Sequence, residues 1–315
     1  MDLGLTLVSF FIGVIVGLTG MGGGALMTPV LVLFFGVAPL AAVSSDLVAS
    51  AVMKPFGTAV HLRRGTVHLG LVKWLCVGSI PSAFCGVLLI RALGEGERLQ
   101  AAVKTSLGVV LVIAATALIV KAYLALVARA HRRATRKASG TSQGPPEGLR
   151  VRPLPTVLIG AIGGLVVGMT SVGSGSLIII ALILLYPQLQ ASQLVGTDLT
   201  QAVPLVCSAA LSHLLFGDFQ LAITTSLLIG AVPGVLVGAT MSSRAPAGVI
   251  RRALALVLLA SGLKLLGASN LVLGCILLAV VLVGPPLWML ARRQHGLPPT
   301  ARSESRSQRD TAAGG

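Results

Sequence analysis

Charge is scarce in this chain. Asp, Glu, Lys and Arg make up 10% of the 315 residues, against about 25% in soluble domains. Aromatic residues are only 4%, and the acidic residues number nine. The 34 residues from Leu3 to Gly36 hold no ionisable side chain. Such shortages exclude an ordinary soluble enzyme or binding module. With 55% hydrophobic residues and a mean hydropathy of +0.94, they describe an all-α polytopic membrane protein.

Cysteine is also sparse. Cys76, Cys85, Cys207 and Cys275 sit singly in apolar runs, without CxxC or Cys/His spacing, so they read as small buried hydrophobes and no metal site is expected. No nucleotide-binding motif is present, which argues against direct ATP drive, and no cofactor is implied. The N-terminus carries Asp2 and no basic region, which makes it a poor signal peptide. The net charge of +15 does not imply nucleic acid. Seven of the 24 basic residues lie between Arg129 and Arg152 and five follow Leu290, so they flank apolar runs as the positive-inside rule describes.

What is abundant is glycine inside the apolar runs. Five of the eight residues Gly17–Gly24 are glycine, in Val16-Gly17-Leu18-Thr19-Gly20-Met21-Gly22-Gly23-Gly24-Ala25-Leu26. The same grammar returns as Val167-Gly168-Met169-Thr170-Ser171-Val172-Gly173-Ser174-Gly175-Ser176-Leu177. At membrane depth, irregular backbone is tolerated only where protein buries it or a cavity adjoins it. Paired Gly-broken segments in two halves point to a transporter's binding site.

Apolar segments run 3–19, 25–36, 41–62, 67–90, 99–127, 154–172, 176–186, 191–215, 220–242, 250–267 and 269–291. A span needs about 20 residues, so 25–36 and 176–186 are too short and read as second arms of broken, re-entrant elements. The expected organisation is a first membrane repeat 1–128, a basic cytoplasmic linker 129–153, a second repeat 154–267, an additional transmembrane helix 268–291 and a disordered cytoplasmic tail 292–315, with about seven to nine spanning helices. At an offset of 151, Gly17, Thr19, Gly22, Gly24 and Leu26 match Gly168, Thr170, Gly173, Gly175 and Leu177. At 152, Asp46, His61, Gly65, Gly78, Pro81 and Gly86 match Asp198, His213, Gly217, Gly230, Pro233 and Gly238. If each broken element is a hairpin, the basic loops fall on one side and the repeats are inverted. A cell (inner) membrane location is expected.

Asp46 and Asp198 lie within apolar segments, where a carboxylate is costly and marks a functional site by default. They read as a proton or cation relay, or as helix caps. Lys54 lies eight residues beyond Asp46, on nearly the same helix face, and either neutralises it or meets an anion. Its counterpart is Val206. His61 and His213 close the same segments and suit a relay or a helix-end contact. Gln193 and Gln201 add polar atoms near Asp198. Thr19, Gly22, Gly23, Gly24, Thr170, Gly173, Ser174 and Gly175 form a candidate anion cradle of free N–H groups and hydroxyls; close helix packing explains the glycines as well.

The motif G-(L/M)-T-x-(M/V)-G-x-G-x-L in both halves, followed by (S/T)-D-L, then His and Gly, then Pro-x-x-x-x-Gly, resembles the TauE/SafE sulfite-exporter family, also called the 4-toluene sulfonate uptake permeases. The resemblance covers about 10–93 and 157–267. It implies a secondary transporter, not an enzyme, that moves sulfite or organosulfonates by alternating access with possible proton coupling. A passive anion channel is the alternative. An intramembrane hydrolase using Ser174 and His213 is disfavoured, because the glycines repeat between halves while Ser174 aligns with Gly23.

Overall fold

The computed structural model describes residues 2–19, 23–63, 65–92, 94–139, 151–189, 191–241 and 247–294. Their regular structure is entirely helical: α1 (Leu3–Thr19), α2 (Gly24–Phe34), α3 (Pro39–Arg63), α4 (Leu69–Ala92), α5 (Gly96–Ser139), α6 (Pro153–Thr170), a π-helical turn (Ser174–Ile178) running into α7 (Ile179–Leu185), α8 (Ala191–Phe216), α9 (Leu221–Met241), α10 (Ala247–Leu265) and α11 (Asn270–Gln294). Among the described residues, six helices are long and apolar enough to cross a membrane: α4, α5, α6, α8, α9 and α11. Helix α1 has 17 residues and α2 has 11, while α3 carries Asp46 and Lys54 within its 25. Helix α5 extends past the apolar segment expected to end near 127. Its Ala, Arg and Lys residues favour helix, and no Pro or Gly occurs between Val127 and Gly140.

The chain divides into two compact units. One comprises Met1–Leu118 with Gly148–Gly267; the other comprises Ile119–Glu147 with Ala268–Gly315. Two buried clusters fill the first unit. One joins Ile12, Met27 and Met53 to Leu111, Ala231 and Leu258, so α1–α3 and α5 pack with α9 and α10. The other joins Leu47, Leu75 and Val87 to Val167, Leu182 and Leu205, so α3 and α4 pack with α6–α8. Each cluster mixes residues from before and after the 129–153 segment. Neither half has a core of its own.

Glycine explains how closely these helices approach. A Cβ on Gly230, Gly234 or Gly238 of α9 would collide with the carbonyl oxygens of Thr6, Phe10 and Val14 on α1. A Cβ on Gly160, Gly164 or Gly168 of α6 would meet those of Leu75, Ser79 and Ala83 on α4. Backbones that touch at four-residue steps form a small-residue seam. Both seams advance in the same direction on both helices, so α1 runs parallel to α9, and α6 to α4.

Hydroxyl bonds set the remaining directions. Ser208 and Ser212 of α8 donate to the Ile80 and Phe84 carbonyls of α4 at 2.7 and 2.6 Å, in parallel order. Between α3 and α8 the order reverses: Ser44 meets His213 at 2.8 Å, and Thr58 donates to the Leu199 carbonyl at 3.0 Å. Helices α3 and α8 are antiparallel. The N–H groups of Asp218 and Gln220 donate to Ser44 and Ser45, which seats the start of α9 beside the start of α3.

Candidate functional site

Helix α3 presents Asp46, Ser50, Lys54 and Thr58 at four-residue intervals, which places them along one face. All four are buried, Asp46 at 0% exposure and Lys54 at 8%. In an apolar helix this stripe needs partners, and each polar group that finds one finds it on another element. Asp46 Oδ2 accepts hydrogen bonds from Thr28 Oγ1 of α2 at 2.9 Å and from Ser171 Oγ at 2.7 Å. Lys54 Nζ donates to Ser174 Oγ at 3.0 Å. The Lys54 ammonium also interacts electrostatically with Asp198 of α8 and with Asp46.

The second glycine stretch turns sharply between α6 and the π-helical turn. Ser171 is left-handed at φ 60°, the one non-glycine residue in that region among those described, and Gly173 has φ 132°. A left-handed serine is strained unless its surroundings hold it; here the bond to Asp46 does so. The π-helical turn that follows is a form often found at functional sites. The first stretch meets the second directly, because a Cβ on Gly24 would collide with the Ser171 carbonyl. Only glycine fits there.

Gly24, Ala25, Lys54, Ser171, Gly173, Ser174, Gly175 and Ser176 enclose a cavity of about 10 Å³ for water centres, room for about one water molecule. Its wall combines one ammonium, three hydroxyls and glycine backbone at the opening turns of two helical segments. First-turn N–H groups lack intrahelical partners and carry the positive end of the helix dipole. That wall offers one positive charge and several hydrogen-bond donors.

The remaining expected residues lie as follows. Gly23 precedes α2, with Asp46 Oδ1 and Ser50 Oγ each 3.9 Å from where its Cβ would stand. Thr19 turns its hydroxyl back to the Ile15 and Val16 carbonyls, and Thr170 bonds the Val166 and Val172 carbonyls, so both hydroxyls are engaged at helix ends rather than in the cavity wall. Gln201 donates to Asp198 at 3.4 Å and accepts from Ser79 of α4 at 3.3 Å. Gly22 and the His61 side chain lie outside the described residues.

His213 is fully buried and joins three helices, with Nδ1 against Ser44 of α3 and Nε2 against the Gly168 carbonyl of α6, both bonds at about 2.7–2.8 Å. Its ring is engaged with those two groups, and Ser174 is paired with Lys54, so a Ser174–His213 dyad is not formed. Sequence reasoning missed Thr28, Ser50, Thr58 and Ser171. The four-residue spacing of Asp46, Ser50, Lys54 and Thr58 was the available signal for two of them. Thr28 and Ser171 carried none, since only the packing of α2 and the loop onto α3 singles them out.

Comparison with known proteins bears on this arrangement. A family model described as Sulfite exporter TauE/SafE matches residues 5–265. The chain is 39% identical over 267 residues to the probable membrane transporter protein YjnA of Bacillus subtilis (strain 168), covering 84% of this chain and all of that protein. It is 24% identical over 270 residues to the probable membrane transporter protein YdhB of the same organism, covering 83% and 99% respectively. No solved structure matches significantly.

Proposed function

We propose that this chain, which belongs to the sulfite exporter TauE/SafE family, is a secondary permease that carries a small sulfur oxyanion, sulfite or an organosulfonate, through the cavity between its two glycine stretches. The relatives are named as membrane transporters, and six apolar helices suit a multi-pass membrane protein. The observation that carries the substrate reading is Lys54 Nζ on Ser174 Oγ at the cavity wall. A buried ammonium set among hydroxyls and helix N-termini receives a small anion that keeps its charge, without demanding bulk. Gly173 and Gly175 let backbone approach the ligand.

The size and placement of the cavity support alternating access. Room for about one water is too little for an anion of four or more heavy atoms, so the glycine stretches part to admit substrate. An inverted repeat supplies two equivalent ways to part them. Three observations support that reading. The α1–α9 and α6–α4 seams use matching residues, Thr6 against Gly230 and Val157 against Gly78. The matched helices α3 and α8 lie antiparallel, as a twofold axis in the membrane plane requires. Helix α9 starts beside α3 and parallels α1, so α1 and α3 share one sense and the short α2 between them returns toward its side of entry. The central linker and the tail then lie in the cytoplasm of a cell-membrane protein, with one of the two buried aspartates serving a coupling cation.

The test is flux of sulfite, sulfate and a panel of sulfonates in proteoliposomes, with and without an imposed pH gradient. Saturable flux of one of these anions is expected. Conductive, non-saturating flux would replace the permease with a channel, and absence of flux for the whole panel would refute the substrate class.

A further inference from the structure

Two oxygens of the buried stripe remain without partners. Among the described residues, Asp46 Oδ1 and Ser50 Oγ have no hydrogen-bond partner, although Asp46 is 0% and Ser50 2% exposed. Ser50 differs here from other helical serines of the chain: Ser9, Ser44 and Ser82 each donate back to their own helix. Both orphan oxygens lie 3.9 Å from the Cβ position of Gly23, beside the Met53 methyl at 3.5 Å. A buried carboxylate oxygen and a hydroxyl left unpaired are costly unless something positive joins them.

We propose that Asp46 and Ser50, facing Gly23, form a binding site for a single positive charge, a proton or a sodium ion, separate from the anion cavity. This deepens the permease reading and rests on it for its role in coupling. The two aspartates thereby divide their work. Asp198 bonds Gln201 and interacts with Lys54, the cation of the anion cavity. Asp46 spends Oδ2 on Thr28 and Ser171 and turns Oδ1 away from them. The repeat match underlines the difference, since Ser50 aligns with Ala202 and Lys54 with Val206. A carboxylate repels the anionic substrate, so the Asp46 site takes the opposite charge.

The groups facing Asp46 from the packed elements are Thr28 of α2, Ser171 of the second glycine stretch and Lys54 of its own helix. Asp198 of α8 stands beyond Lys54, while His213 of α8 and the Asp218 backbone meet Ser44, half a turn before Asp46. Ser171 gives the site a mechanical link. Its hydroxyl bonds Asp46 while its carbonyl abuts Gly24, so filling the Asp46 site and parting the glycine stretches act on one residue.

The test combines a binding readout with transport. Infrared difference spectra of the purified protein, taken between sodium and choline and between two pH values, should show an Asp46 carboxyl band that responds to one of the two cations and disappears in Asp46→Asn. Sensitivity to sodium identifies a sodium site, and sensitivity to pH alone a proton site. In proteoliposomes, a tenfold gradient of that cation coupled one to one sustains about tenfold accumulation of a monoanion. Asp46→Asn should lose this accumulation far more completely than it slows anion exchange. Ser50→Ala, a milder change should Asp46→Asn fail to fold, should weaken the cation's half-saturation by about tenfold. A cation-responsive band without anion flux would uphold this site while removing the permease reading. A carboxyl silent to both cations, or full gradient-driven accumulation in both variants, would overturn the site.

Discussion

Replacing Lys54, alone and together with Asp198, separates binding from folding. In Lys54→Ala the Ser174 hydroxyl loses its donor, and Asp198 and Asp46 lose the ammonium they interact with. A hydrogen bond to a charged group contributes about 1.5–3 kcal/mol. If the anion draws on one such bond, transport KM should rise by about 10- to 100-fold, at about 1.4 kcal/mol per factor of ten. The same substitution leaves a buried carboxylate without its counter-charge, which costs about 3–5 kcal/mol when one partner of a buried pair is removed. Lys54→Ala should therefore lose both heat stability and substrate affinity. Adding Asp198→Asn removes one of the two abandoned charges, so the double variant should recover part of the stability and none of the affinity. The assay is sulfite or sulfonate uptake in proteoliposomes, read beside thermal aggregation in detergent and beside the protection that ligand confers. A double variant that is stable and transports with the original KM would refute the role given to Lys54. So would a stable single variant whose ligand protection is unchanged.

Three further outcomes follow from the packing. Gly78→Val and Gly230→Val strike matching points of the two seams, where a Cβ would collide with the Val157 and Thr6 carbonyls; each should destabilise by about 1–3 kcal/mol or more, seen as lower thermal stability and membrane abundance. Ser171→Gly and Ser171→Ala both remove a donor to Asp46, but only glycine accepts φ 60° freely; the glycine variant should be the more stable by about 1 kcal/mol, and equal stability would refute the strain assigned to that turn. His213→Ala leaves the Gly168 carbonyl and Ser44 without their buried partner and should destabilise by about 1–3 kcal/mol, whereas His213→Gln, able to meet one of the two, should fall between.

Much of the fold was legible in composition and spacing. A chain with 10% charge and long uncharged runs cannot stay soluble, and it satisfies its backbone in lipid by forming helices. The broken elements were legible because dense glycine frees the backbone to leave the helix. Their helices are indeed short, 11 residues in α2 and seven in α7 after the π-helical turn. Helix α5 runs past its apolar segment, since hydropathy marks where a helix can sit in lipid, whereas propensity carries it on to Ser139.

Of the site, the sequence by itself determined the rare groups. Asp46, Lys54, Asp198 and His213 stand out because an ionisable side chain in an apolar run is expensive. It also determined that Asp46 and Lys54 share a face, since eight residues make nearly whole helical turns. Only the tertiary structure decided which partners they have. Serines and threonines are cheap in apolar helices, where they can bond their own backbone, so nothing marked Ser171 or Thr28 as hydroxyls that reach across to α3. Nor does local spacing tell that Gly24 must remain glycine because Ser171, 147 positions away in the chain, presses its carbonyl there. Residue type is a local property. Which of the two Asp46 oxygens meets partners, and which stays open near Gly23, is settled by where separate helices come to rest.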